Sequence, residues 1–162
     1  MPILYIMCGC SGSGKSTWAH NFVASSNKDI RYVSRDEVRF QFLKENDSYF
    51  SREKEVFRKF VGIIAQTLVD GFDVIADATH LNPPSRNKLI NAIDAITRDY
   101  TITYVFIDTS LEVCLARNAE RTGRVKVPEE TLKQMWDAVV RPTFVERQDD
   151  TRVTCIRYIE GD

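Results

Sequence analysis

The sequence predicts an α/β fold: one doubly wound, mostly parallel sheet of five strands joined by helical crossovers. Three observations carry that expectation. Strand-like and helix-like segments alternate along all 162 residues, with no internal repeat and no low-complexity linker. Ile3–Cys8 is a short, continuously apolar run of the kind that a strand buried on both faces requires. Directly after it comes Gly9-Cys10-Ser11-Gly12-Ser13-Gly14-Lys15-Ser16-Thr17, which fits G-x-x-x-x-G-K-[ST], a loop that joins a buried strand to a helix and cradles phosphates.

Taken in order, the segments support the same reading. Gly9, Gly12 and Gly14 let the loop turn tightly with its N–H groups pointing inward. Together with Ser13, Thr17 and the helix N-terminus they make a phosphate-binding set. Lys15 would reach the β- and γ-phosphates of ATP, and the Ser16 hydroxyl would ligate Mg²⁺. The glycine order G-x-x-G-x-G argues against a dinucleotide loop, which needs G-x-G-x-x-G. Trp18, Ala19, Phe22 and Val23 then recur at helical spacing. Ile30–Ser34 reads as a second strand, and Ser34 with Glu37 as a capping box that opens a helix to about Lys44. A longer helix runs from near Ser51 to near Gly71, its apolar face carried by Phe57, Val61, Ile64 and Leu68. Residues 72–76 form a third strand ending in Asp77, and Asn82-Pro83-Pro84 starts a helix that reaches about Arg98. Residues 101–107 are a fourth strand. Thr109 and Glu112 read as a capping box before a helix over residues 111–120. A basic loop over residues 121–127 leads to a helix from Pro128 to about Val139. Residues 141–150 receive no assignment, and residues 153–159 are the last strand.

The composition suits a single domain over residues 1–162, at 43% hydrophobic. Lys+Arg 22 against Asp+Glu 23 leaves a net charge of −1, which argues against a general duplex binder but leaves room for a local basic channel. Cys8, Cys10, Cys114 and Cys155 lack metal-ligand spacing and read as free thiols of a reducing compartment, Cys10 being a neutral filler of the loop or an oxidisable thiol. No basic leader precedes the first strand and no run approaches transmembrane length, so the expectation is a cytoplasmic protein with no membrane partner. Oligomeric state is left open.

Three groups fall where strands end, the edge that this fold assigns to ligands. Asp36 and Arg39 are three apart on one helix and can face one space. Asp36 could accept a proton from an attacking hydroxyl and Arg39 could hold an anionic acceptor group, or the two could form a surface ion pair. Asp77 ends an apolar strand, as a carboxylate on the Mg²⁺ side does, or it caps the turn there. His80 reads as a hydrogen-bonding surface residue and is given no role. Arg117, Arg121 and Arg124 match an arginine-bearing lid (about 117–128) that closes on the triphosphate, or else a solvated basic helix end. Trp18, Trp136, Phe40, Phe42, Tyr49, Phe50, Phe57 and Phe60 read first as core, with Tyr49 and Phe50 as the alternative base-stacking platform.

These motifs, in this order and spacing, resemble the kinase domain of the bacteriophage polynucleotide 5′-kinase/3′-phosphatase family, within the P-loop kinase superfamily. The shared pattern is Gly9 to Ala19, then Ser34-Arg35-Asp36-Glu37-Val38-Arg39, then Asp77-Ala78-Thr79-His80-Leu81-Asn82-Pro83, then Arg117-Asn118-x-x-Arg121-Thr122-Gly123 with Val127-Pro128. The resemblance covers about residues 3–141 and implies a P-loop NTPase fold. It implies Asp36 as general base on a 5′-hydroxyl, Arg39 on the acceptor's 3′-phosphate and Arg121 on the donor phosphates. At His80 the family's pattern has Asn, so nothing carries over there. No D-x-D-x-T motif occurs, so no 3′-phosphatase activity is implied for these residues. The expected activity is ATP-dependent phosphorylation of a nucleic-acid 5′-OH end. Two other readings fit the same motifs, a kinase of a small acceptor and a nucleotide-dependent regulatory ATPase.

Overall fold

A computed structural model describes residues 1–162. Its five strands are β1 (Ile3–Cys8), β2 (Ile30–Ser34), β3 (Asp73–Asp77), β4 (Thr101–Asp108) and β5 (Val153–Glu160), ordered β2-β3-β1-β4-β5 with every pairing parallel. The helices are α1 (Lys15–Ser25), α2 (Arg35–Phe42), α3 (Glu53–Val69), α4 (Pro83–Asp94), α5 (Leu111–Ala119) and α6 (Glu129–Asp137). The predicted sheet is therefore present, and β1 lies at its centre, as its uninterrupted apolar run requires.

Alternation along the strands sorts the core into two layers. Leu4, Ile6 and Cys8 face one side with Val74 and Ala76, under Val56, Phe60, Ile64 and Leu68 of α3 and Leu89, Ile90 and Ile93 of α4. Tyr5, Met7, Ile75 and Val105 face the other, against Ala19, Trp18 and Phe22 of α1. Each fully buried Leu, Ile or Phe contributes about 1.5–3 kcal/mol, so these two layers hold the sheet edge-on to the ligand side with little play.

Several local expectations change. The helix read to Arg98 ends at Asp94, and the one read from Ser51 begins at Glu53. Ser110, not Thr109, caps α5, its side chain accepting from the Val113 amide at 3.3 Å. Thr109 instead turns inward and donates to the Ser13 carbonyl at 2.8 Å. Of the aromatic residues read as core, only Phe60 is fully buried; Phe50 and Trp136 are 56% and 40% exposed. The unassigned stretch 141–150 is irregular chain tied down by charge: Glu146 meets Arg86, and Arg147 meets Asp150 at 3.0 Å. Cys8, Cys10 and Cys114 are buried free thiols and Cys155 is half-buried. Burial pushes the Cys8 thiol up to about 12, and the Cys10 thiol packs against Cys114 and Leu132 and donates to the Leu132 carbonyl at 3.8 Å. No helix is long and apolar enough to cross a membrane.

His80 is the largest departure. It is 5% exposed, sits at φ +39°, and donates from Nδ1 to the Met7 carbonyl at 2.8 Å. Burial lowers its pKa to about 4, with Arg35, Arg86 and Lys15 adding to the shift. A His whose folded pKa lies below its unfolded value of about 6.5 contributes stability above pH 6.5, and loses it as pH falls towards 4. Between pH 7 and 5 the loss from this residue is about 2 kcal/mol. Urea denaturation at the two pH values checks it. His80→Asn, which tolerates the left-handed backbone, is expected to flatten that difference.

Candidate active site

The phosphate loop is built by bonding its carbonyls outward. Lys15 Nζ donates to the Cys10 carbonyl at 2.9 Å, Arg117 Nη1 to that of Gly12 at 3.1 Å and Thr109 to that of Ser13. The amides of Gly12 and Gly14 donate to no protein acceptor, which leaves them for a phosphate. Gly12 lies at φ +82°, and a Cβ there would come within 3.0 Å of the Cys114 carbonyl, so no other residue suits the turn. The end of β5 completes the support. Gly161 packs so closely that a Cβ would overlap Thr109 Oγ1 and approach the Ser13 carbonyl to 2.6 Å. Arg117 Nη2 ties that same end down through the Gly161 carbonyl at 2.8 Å. Arg117, read as a donor-phosphate ligand, thus braces the loop through these two carbonyls and lines a second pocket with Gly14, Thr17 and Arg121.

One cleft of about 230 Å³ opens beside this loop, and it gathers most of the predicted residues: Gly12, Lys15, Ser16, Asp36, Arg39, Asp77 and Arg121. Burial lowers the Lys15 pKa, and the facing charge of Asp77 opposes that shift. Ser16 Oγ donates to Asp77 Oδ2 at 2.7 Å, so α1 and β3 place a hydroxyl and a carboxylate side by side. Tyr32, which sequence reasoning did not single out, donates its hydroxyl to the same Asp77 oxygen. Burial, and then the charge and contact of Asp77, hold the phenol well above its ordinary pKa.

On the opposite wall, the Ser34 side chain caps α2 by accepting from the Glu37 amide at 3.3 Å, which turns Asp36 and Arg39 into the cleft. Arg39 Nη1 donates to Asp36 Oδ1. The guanidinium is 5% exposed and the Asp36 carboxylate 52%, so this is no surface pair: a buried cation backs a carboxylate that faces solvent. Two partners escaped the sequence. Glu53, at the start of α3, accepts from Arg39 Nε at 2.8 Å and Arg35 Nη2 at 3.0 Å. Tyr49 donates to Asp36 and accepts from Arg39 at 2.7 Å. Its ring meets Phe50 edge-on at 4.6 Å, and both line the mouth. A carboxylate near the first turn of a long helix is a recognisable anchor for an arginine pair, but nothing local says which pair.

The lid arginines separate. Arg121 Nη1 reaches Ser11 Oγ at 3.0 Å and lines the cleft. Arg124 does not; it donates to the Lys44 carbonyl at 3.0 Å and lies over the Phe40 ring at 5.7 Å. The loop that carries them is pinned at its base, where the Asn118 side chain bonds both the carbonyl and the amide of Val127, at 2.6 and 2.9 Å.

The chain is similar to known proteins over this whole unit. A protein of Autographa californica nuclear polyhedrosis virus, provisionally named a bifunctional polynucleotide kinase/RNA ligase, is 26% identical over 146 residues, or 82% of this chain and 20% of the viral one. A chain in the structure of the Pnkp1/Rnl/Hen1 RNA repair complex superposes with a TM-score of 0.71 at 25% identity, over 85% of this chain and 44% of its own. This chain therefore spans a fifth of the viral relative and less than half of the Pnkp1-complex chain. Chaetomium thermophilum Kti12 in complex with ADP-AlF3 (TM-score 0.68, 16% identity, 98% and 89% coverage) and a sugar kinase from Janibacter sp. HTCC2649 (0.63, 17%, 99% and 85%) share the fold. A model of the AAA domain family matches residues 4–142, the span that holds the phosphate loop, Asp36, Arg39, Asp77 and Arg121, and the chain belongs to that family.

Proposed function

We propose that this chain is an ATP-dependent 5′-hydroxyl polynucleotide kinase. One observation carries the reading: a solvent-facing carboxylate, Asp36, backed by the buried Arg39, shares a single cleft with the phosphate loop. A hydrolase or switch has no need of an acceptor wall of that kind. The viral relative's name and the RNA-repair setting of the Pnkp1 complex support a nucleic-acid acceptor. Tyr49 and Phe50 at the mouth suit a terminal base, since aromatic faces stack on any base.

Lys15, the free amides of Gly12 and Gly14, and the α1 N-terminus hold the donor phosphates. The Ser16–Asp77 pair fits a hard cation: an oxygen pair at the edge of the phosphate loop, with Mg²⁺ when bound neutralising the donor's phosphate charge. Asp36 takes the proton from the 5′-hydroxyl as it attacks, and Arg39 fixes the acceptor's phosphate. Arg121 faces the charge that develops on the transferring group. Glu53 orients both Arg35 and Arg39. Glu53→Gln is expected to raise the acceptor KM about tenfold through the weakened charge-assisted bonds, with ATP KM within twofold of wild type; steady-state kinetics with each substrate varied checks it.

The direct test is an acceptor screen with γ-labelled ATP. The proposal expects label on a 5′-OH oligonucleotide and a nucleoside 3′-monophosphate, and none on sugars or free nucleosides. Label on a sugar or free nucleoside alone makes the chain a small-acceptor kinase. ATP hydrolysis without transfer makes it a regulatory ATPase.

A further inference from the structure

Outside the cleft, a groove runs between α3 and α4, and its charge is one-sided. Lys54 and Arg58 project from α3 and Lys88 from α4, all three exposed. None of them forms an ion pair with a carboxylate. Glu55, the acid beside them in sequence, is taken by Arg52 at 3.3 Å. Phe57 lies in the groove with Lys88 Nζ 4.6 Å from its ring centroid and the Arg35 guanidinium 5.4 Å from it, so the ring orders two cations without neutralising either. Gly62 leaves the floor open, since a Cβ there would meet nothing within 4 Å.

The groove is continuous with the cleft, because Arg35 and Glu53 line both. In the cleft the charges of Arg35, Arg39, Asp36 and Glu53 pair off, whereas in the groove three cations stand unopposed. A chain with net charge −1 that concentrates unpaired cations beside its acceptor wall has a local anion track. Lys54 and Arg58 are one helical turn apart, about 6 Å along the axis, which exceeds the ~3.4 Å per phosphate of a stacked strand, so each can take a separate phosphate.

We propose that this groove is the path of the acceptor strand: the backbone of a single-stranded polynucleotide leaves the cleft past Arg35 and lays its phosphates on Lys54, Arg58 and Lys88. The proposal rests on the polynucleotide-kinase reading and adds to it a preference for acceptors several nucleotides long. Phosphate contacts of this kind position a strand without reading its sequence.

The experiment uses the full chain and its Lys54→Ala/Arg58→Ala/Lys88→Ala variant, exposed positions whose loss leaves the core intact. Each is assayed with γ-labelled ATP on a 5′-OH 12-mer and on a nucleoside 3′-monophosphate, across a salt series. The expected result is a KM for the 12-mer at least tenfold higher in the variant at unchanged kcat. The monophosphate's kcat/KM stays within twofold, and the slope of log KM against log[salt] for the 12-mer drops by about 2, for three lost contacts. An equal loss on both acceptors, or no loss on the 12-mer, overturns the groove while the kinase reading stands. The groove then belongs to another anionic partner, such as an acidic protein surface. A wild-type chain that labels neither acceptor overturns the kinase reading, and the groove with it.

Discussion

Asp36→Asn is expected to lower phosphoryl transfer to a 5′-OH oligonucleotide by about 10²–10⁴-fold, the usual contribution of a positioned base, with ATP affinity within twofold of wild type. The substitution keeps the shape of the side chain and an oxygen that can still accept from Arg39 and Tyr49, but not a group that can take a proton. Arg39 loses one of its two carboxylate partners but keeps the other. Glu53 still holds Arg39 and Arg35, and the phosphate loop is braced from the other side by Thr109, Arg117 and Gly161. Because the carboxylate is half exposed, the change costs little stability. Single-turnover transfer measured beside equilibrium binding of an ATP analogue separates the two effects. A variant that retains transfer within threefold removes Asp36 from the role of base. Loss of ATP binding in parallel would mean that the residue shapes the donor site instead.

How far the sequence carried this site follows from how local each feature is. The phosphate loop is nine consecutive residues whose spacing is itself the geometry, and Asp36 and Arg39 meet because a helix brings i and i+3 together. The β-strands were legible for the same reason: apolar runs such as Ile3–Cys8 encode burial one residue at a time. Glu53 was not legible, since it reaches Arg39 across a 14-residue detour, and no pattern in α3 marks it apart from Glu55 one position beyond Lys54. Tyr32 belongs to the site only because β2 lies parallel beside β3 and its hydroxyl reaches Asp77, and Gly161 only because the fold brings the end of β5 against the phosphate loop. Arg117 and Arg124 could not be placed from the sequence because a basic helix end followed by a glycine loop looks the same whether its guanidinium groups face phosphate or backbone carbonyls. Only the fold shows Arg117 bonded to Gly12 and Gly161, and Arg124 to Lys44.

Arg86 is the extreme case of an unreadable residue, a charged position in the first turn of α4 that turns out to be fully buried, and Arg86→Met is expected to destabilise the chain by about 3–5 kcal/mol. Its Nε and Nη2 grip Glu146 at 2.8 and 3.0 Å in a two-point fork, while Nη1 and Nη2 donate to the carbonyls of His80 and Val140 at 2.8 and 3.0 Å. Glu146 is itself 4% exposed, so removal of the arginine strands a buried carboxylate and two carbonyls at once. Arg86→Met/Glu146→Leu should recover part of the loss by removing the stranded charge, though the carbonyls of His80 and Val140 stay unpaired, and urea denaturation of the single and double variants reads both steps. The consequence reaches the site. Arg86 holds the His80 carbonyl, His80 holds that of Met7 at the end of β1, and the neighbouring Thr79 carbonyl accepts from the Gly9 amide at 2.9 Å. The buried pair therefore anchors the turn against which the phosphate loop is cast, and the single variant should bind ATP more weakly even at temperatures where it stays folded. A loss below 1 kcal/mol, or ATP binding untouched, would show that β1 and β3 fix that turn without it.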